Sequence, residues 1–133
     1  MRVIAGEAFG ARGAASTLIP VRLLDVAIQA DATFEIAVPD AHSVFAYLYE
    51  GAVAAADKTG ESRNLEGGTL AVLEGSGGVR VIAGGAGAKV LYADALPIGE
   101  PIARYGPFVM NTREELVKAF DDYSKGELDR VSA

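Results

Sequence analysis

The chain has 133 residues, half of them apolar, which is enough to bury a core as one domain without staples and is unlike a disordered segment. Twelve basic residues against eighteen acidic ones leave a net charge of −6. The basic residues Arg2, Arg12, Arg22, Lys58, Arg63, Arg80 and Lys89 are scattered, which argues against direct binding to nucleic acid.

There is no cysteine and a single histidine, His42. Disulfides, thiolate nucleophiles and cysteine-based metal centres are therefore excluded, and a His-rich metal centre is out of reach within one chain. A pure carboxylate site for Mg²⁺ or Ca²⁺ stays open, although no D-x-D-x-D-G loop is present. Every apolar run is broken well short of the ~18 residues a membrane helix needs. Met1-Arg2-Val3-Ile4 leads into Gly6 and Glu7 without an extended apolar region, so the expectation is a cytoplasmic protein with no membrane partner.

In chain order, Val3–Ala5 reads as a short strand and Gly6–Gly13 as a loop. Val21–Ile28 is the next strand, followed by Thr33–Val38, which Pro39-Asp40 closes. Phe34, Ile36 and Val38 alternate there with Thr33, Glu35 and Ala37, giving one buried and one wet face. In Ser43–Glu50, Val44, Ala46 and Leu48 fall on one face and Phe45, Tyr47 and Tyr49 on the other. Both faces are apolar, which predicts cover on two sides.

Gly51 then reads as a turn into Ala52–Ala56, Asp57–Arg63 as a polar loop, and Glu66-Gly67-Gly68 as a turn before Thr69–Leu73. Val79–Ala83 and Ala88–Ala93 are further strands, divided by a hairpin turn at Gly84-Gly85-Ala86-Gly87. Turn signals every ~8–12 residues and about eight strands predict a sandwich or barrel of the jelly-roll kind. The strands occupy about 3–93, a connecting segment 94–111 and a helix about 112–125.

That helix has its own start and stop signals. Thr112 is a good N-cap, Glu115 three residues on completes a capping box, and Gly126 suits the position after the C-cap. Leu116, Phe120 and Tyr123 form a stripe with Val117 and Ala119 beside it, which predicts a docked helix. Glu114–Lys118 and Asp121–Lys125 are spaced for i,i+4 ion pairs.

Chemistry-bearing motifs are few. Gly75-Ser76-Gly77-Gly78 and Gly84–Gly87 lack the helix that a phosphate cradle needs behind its glycines, and read as hairpin turns. No serine sits in a nucleophile elbow, and Ser43, adjacent to His42, would point to the opposite face of a strand. His42 lacks the second histidine of a metal motif and reads as a strand-entry residue, half exposed and hydrogen-bonded locally. The alternative for His42 is a metal or proton-transfer role. Glu50 is the one acid whose setting suggests partial burial, most simply in a salt bridge or turn hydrogen bond. For Phe45, Tyr47 and Tyr49, core packing between two sheets is favoured, and a docking face is the alternative.

Three segments carry a resemblance: Val3-Ile4-Ala5-Gly6-Glu7-Ala8-Phe9-Gly10, His42 through Gly51, and above all Glu100-Pro101-Ile102-Ala103-Arg104-Tyr105-Gly106-Pro107-Phe108-Val109-Met110-Asn111-Thr112. Together they resemble the C-terminal domain of the pirins, over essentially the whole chain. The resemblance implies an all-β, cupin-type jelly roll, a β-sandwich or barrel, with one C-terminal helix. Pirins are similar to bicupins, with one iron held in the N-terminal domain by three His and a Glu and none in the C-terminal domain. They have been described as quercetin-cleaving dioxygenases and as transcriptional co-regulators.

The expectations are therefore a metal-free, non-catalytic structural or interaction module with no catalytic, cofactor-binding or metal residues of its own. Its partner would be a second copy or a metal-bearing N-terminal cupin domain. Half of an iron-dependent dioxygenase and a small-molecule-binding barrel are the alternatives.

Overall fold

The computed structural model describes residues 1–56, 62–73 and 77–128. The chain forms two compact units, Met1–Pro97 and Ile98–Ala133. The first is built from β1 (Arg2–Ala5), β2 (Glu7–Ala8), β3 (Ala11–Arg12), β4 (Val21–Ile28), β5 (Thr33–Val38), β6 (Ser43–Ala56), β7 (Ser62–Glu66), β8 (Thr69–Leu73) and β9 (Gly77–Ala95). Strands β1, β4, β9, β6 and β7 follow one another across an antiparallel sheet, with β5 added to β9 and β8 to β6. The predominantly β, cupin-type sandwich expected from the strand rhythm is what forms.

Two long strands, β6 and β9, serve both layers of the sandwich. The end of β9 (Ala88–Ala95) pairs with β4 on one side and the start of β6 on the other. Its beginning pairs with β5 and with Val53–Ala55 of β6. Alternation sends Leu24, Val26, Ile28, Val44, Leu48, Val90 and Tyr92 inward from the first group. Phe34, Ile36, Val38, Val53, Val79 and Val81 face them from the second, in one core. The ring of Phe34 meets that of Tyr92 edge-on at 6.2 Å.

The glycines at the crossing of β6 and β9 act differently from expectation. Gly51 is not a turn and Gly84–Gly87 is not a hairpin; both lie inside continuous strands. Between the pairs Gly51↔Ala88 and Val53↔Ala83 the register slips, so that four residues of β9 oppose one of β6. This is a bulge, which bends a strand and lets it pass from one layer to the other. The backbones approach so closely that a Cβ on Gly51, whose φ is +83°, would fall 2.1 Å from the carbonyl oxygen of Gly87.

Other differences are local. Gly6–Gly13 is not simply a loop: β2 and β3 pair across a turn at Phe9 and Gly10, both at positive φ. The expected turn at Glu66-Gly67-Gly68 is not a hairpin: β7 and β8 run one after the other along β6, both antiparallel to it, with Gly67 and Gly68 between them. Of the expected polar loop Asp57–Arg63, residues 57–61 lie outside the described residues and Ser62 and Arg63 already belong to β7. Gly75 and Ser76 also lie outside them, while Gly77 and Gly78 begin β9.

The second unit holds β10 (Ala103–Tyr105), β11 (Phe108–Met110) and α1 (Arg113–Ser124). The segment read as a connection thus contains a hairpin, turning at Gly106-Pro107. The capping box is present: Thr112 Oγ1 accepts from the Glu115 amide at 3.2 Å, and the Glu115 carboxylate accepts from the Thr112 amide at 2.9 Å. Gly126 follows the C-cap at φ +68°.

The helical stripe is narrower than expected. Leu116 and Ala119 are buried and Phe120 is half-buried, but Tyr123 and Val117 are mostly exposed. Phe120 packs edge-on against Tyr105 and Phe108, at 5.4 and 4.8 Å between ring centres, and Phe108 also meets Tyr123 at 5.9 Å. Of the two expected ion pairs, Asp121–Lys125 forms, whereas Lys118 pairs forward with Asp122 and not back with Glu114.

Candidate functional site

One buried carboxylate organises the mouth of the sandwich. Period-two alternation along β9 places Asp94 on the inward face with Val90 and Tyr92, and its side chain is wholly shielded from solvent. A buried charge must be paired and hydrogen-bonded to persist. Asp94 Oδ2 accepts from Arg22 Nε at 2.8 Å, and Asp94 Oδ1 lies 2.7 Å from His42 Nδ1. Arg22 stands directly opposite Asp94 in the β4–β9 register and also donates from Nη2 to the carbonyl of Ala37 on β5, at 2.8 Å. One guanidinium thereby ties the two layers together where they open.

His42 is delivered by the turn between β5 and β6, where its amide donates to the carbonyl of Pro39 and Ala41 adopts φ +63°. The expected local hydrogen bond is thus backbone only; the ring reaches a partner 52 residues away. A carboxylate on Nδ1 holds the imidazole with Nδ1 as donor and leaves Nε2 as the acceptor. Behind this cluster the Tyr92 hydroxyl is buried, with no hydrogen-bond partner among the described residues. Burial first, and the neighbouring Asp94 carboxylate second, raise its pKa well above that of an ordinary tyrosine.

Arg22 and His42 both line a cavity of about 520 Å³, with Arg12, Ser16, Thr17 and Pro39 among its other walls. Sequence reading singled out His42 alone here. Arg22 and Asp94 escaped notice because 72 residues separate them. The available signal was the alternation itself, which puts a charge on the inward face of an otherwise apolar strand.

The cluster does not suit a transition metal. One imidazole nitrogen and both Asp94 oxygens are already engaged, and a guanidinium occupies the space where a second cation would have to sit. Among the described residues no three His, Cys, Asp or Glu side chains converge as a ligand set.

Glu50 is not brought to His42. It is exposed near the other end of the same sheet section and pairs with Lys89 at 2.6 Å. Phe45, Tyr47 and Tyr49 are about two-fifths exposed, not packed between sheets, because only the Val44/Leu48 face of β6 meets the second layer. Phe45 pairs with Val72 and Tyr47 with Leu70 on β8, both of which are also exposed, and on the other flank with Ala93 and Leu91 of β9. Polar contacts edge this apolar face. The Tyr49 hydroxyl donates to Asp25 at 2.7 Å and Arg2 donates to the same carboxylate at 3.2 Å.

Comparison with known proteins bears on all of this. Residues 23–129 match the family of the pirin C-terminal cupin domain. A pirin-like protein of Caulobacter vibrioides is 40% identical over 102 residues, 77% of this chain and 35% of its own. Pirin-like protein 2 of Arabidopsis thaliana is 32% identical over 131 residues, 96% of this chain and 41% of its own. Among solved structures, a quercetin 2,3-dioxygenase from Acinetobacter baumannii superposes with a TM-score of 0.80 at 35% identity, over 98% of this chain and 44% of that one. The chain thus spans less than half the length of these relatives. It belongs to the pirin C-terminal cupin domain family.

Proposed function

We propose that this chain is a metal-free, non-catalytic cupin module that works by docking a partner on the outer face of its sheet, the partner being a metal-bearing cupin domain or a second copy. The observation that carries this reading is the exposure of Phe45, Tyr47, Leu70 and Val72 on adjacent, paired strands. Large exposed apolar patches with a polar rim mark interaction surfaces, since water penalises them in a free monomer. The similarity to proteins more than twice as long supports a neighbouring cupin as the occupant.

Light scattering coupled to size exclusion tests it, with the chain alone and mixed with the N-terminal domain of a pirin-like relative. Expected are a homodimer alone or a one-to-one complex in the mixture, either of them abolished by Tyr47→Arg. A 13.8 kDa species in both samples at high concentration overturns the reading.

A second reading is that the chain forms half of an iron-dependent dioxygenase whose metal lies in another domain, favoured by the similarity to the Acinetobacter enzyme. Flavonol turnover with Fe²⁺ in the mixture, and none with the chain alone, would support it. On that reading the aromatic face still docks the two halves.

A further inference from the structure

We infer that the cavity at the mouth of the sandwich is a binding site for a small organic carboxylate, held by Arg22 and His42. This is independent of the outer aromatic face, which is built from β6 and β8 side chains that do not line the cavity.

The inference begins with an asymmetry. Asp94 lies behind the cluster, fully shielded, whereas about a fifth of each of the Arg22 and His42 side chains stays exposed and both line the cavity. Arg22 has committed Nε to Asp94 and one Nη2 hydrogen to Ala37, which leaves the Nη1 donors and the second Nη2 hydrogen. His42 has committed Nδ1, which leaves Nε2. The cavity is therefore lined by a guanidinium with donors to spare beside an imidazole whose other nitrogen rests on a carboxylate.

A second carboxylate fits these donors. It completes an arrangement in which arginine and histidine each bridge two carboxylates, and it favours a proton on Nε2 of His42. The charged groups at the site are Arg22 on β4 and Asp94 on β9, with Arg12 and Glu7 of the β2–β3 hairpin lining the same cavity. The last two pair loosely with each other at 3.6 Å. The cavity volume suits a ligand of modest size. Its Ser16 and Thr17 hydroxyls add donors or acceptors for the ligand's body.

His42 is the only histidine, so its ring protons report on the site without assignment ambiguity. Benzoate is titrated into the intact chain near neutral pH and followed by proton NMR, with benzyl alcohol as the uncharged comparator of the same body. The expected result is a saturable movement of the His42 resonances toward the imidazolium position, with benzyl alcohol at least tenfold weaker (~1.4 kcal/mol). Arg22→Lys keeps a cation for Asp94 but loses the planar fork, and should weaken benzoate about tenfold. Equal binding of benzoate and benzyl alcohol would show an apolar crevice and overturn the inference. So would a shift that chloride reproduces at the same ionic strength. Should Arg22→Lys fail to fold, the comparison of benzoate with benzyl alcohol on the unaltered chain decides the matter.

Discussion

Arg22 Nε sits 2.8 Å from Asp94 Oδ2, a side-chain ion pair between the paired strands β4 and β9 whose two residues lie 72 apart in sequence. Because the Asp94 side chain is fully shielded, removing its cation strands a buried charge. Arg22→Ala is therefore expected to cost about 3–5 kcal/mol. The double substitution Arg22→Met, Asp94→Leu should recover most of that loss, since a buried ion pair can be replaced by packed apolar groups at little cost. Urea denaturation of the three proteins gives the comparison. An Arg22→Ala variant as stable as the parent would show that Asp94 does not depend on this pairing.

Tyr92 should resist ionisation. Its phenol is raised far above the ordinary value of 10.0, chiefly by burial, so it keeps its proton while the unfolded chain loses its own. The native state then binds more protons than the unfolded state above pH ~10, and stability must fall as pH rises through that region. Tyrosinate absorbance during an alkaline titration should show Tyr92 titrating only as the chain unfolds, an effect absent in Tyr92→Phe. Smooth titration of all five tyrosines in a folded protein would contradict this.

The crossing of β6 and β9 leaves no room for a Cβ. Gly51→Ala combines a positive φ with an atom placed 2.1 Å from the Gly87 carbonyl oxygen, and should cost at least about 3 kcal/mol. Gly68 also has a positive φ, but nothing lies within 4 Å of its Cβ position, so Gly68→Ala should be milder, at about 1–2 kcal/mol. Thermal melts that rank the two the other way would mean that backbone conformation outweighs the close approach.

In the second unit the burial pattern orders the substitutions. Leu116→Ala, at a buried position, should cost roughly 2–4 kcal/mol. Phe120 keeps some exposure but holds edge-on contacts to two rings, and Phe120→Ala should cost about 2–3 kcal/mol. Thr112→Ala should lose about 1 kcal/mol with its cap, and Tyr123→Ala less than that. Denaturant midpoints followed by helical circular dichroism check the order. A Phe120→Ala variant that keeps the parental midpoint would detach the ring cluster from the stability of the helix.

Metal content follows from donor chemistry. With both Asp94 oxygens and one His42 nitrogen engaged and a guanidinium alongside, elemental analysis of untagged protein should find transition metal far below one per chain. Iron, zinc or copper near stoichiometry would contradict this.

Local signals were legible without the fold. Zero cysteine and one histidine bounded the metal chemistry. Thr112, Glu115 and Gly126 marked the helix ends, because capping joins residues three or four positions apart. The strands Val21–Ile28 and Thr33–Val38 were legible to the residue, the second by its alternation. Three things waited for tertiary structure. Period two reveals that β6 has two apolar faces but not which one a second layer covers, and Phe45, Tyr47 and Tyr49 proved to be on the open side. Glycine runs signal a departure from regular strand, yet only the neighbouring backbone decides between turn and bulge, and at Gly51 and Gly84–Gly87 it is a bulge. The Arg22–Asp94–His42 cluster exists only where β4, β9 and the β5–β6 turn converge. Pairing strands far apart in sequence creates a buried charge and its counter-charge together, and no short-range pattern encodes that meeting.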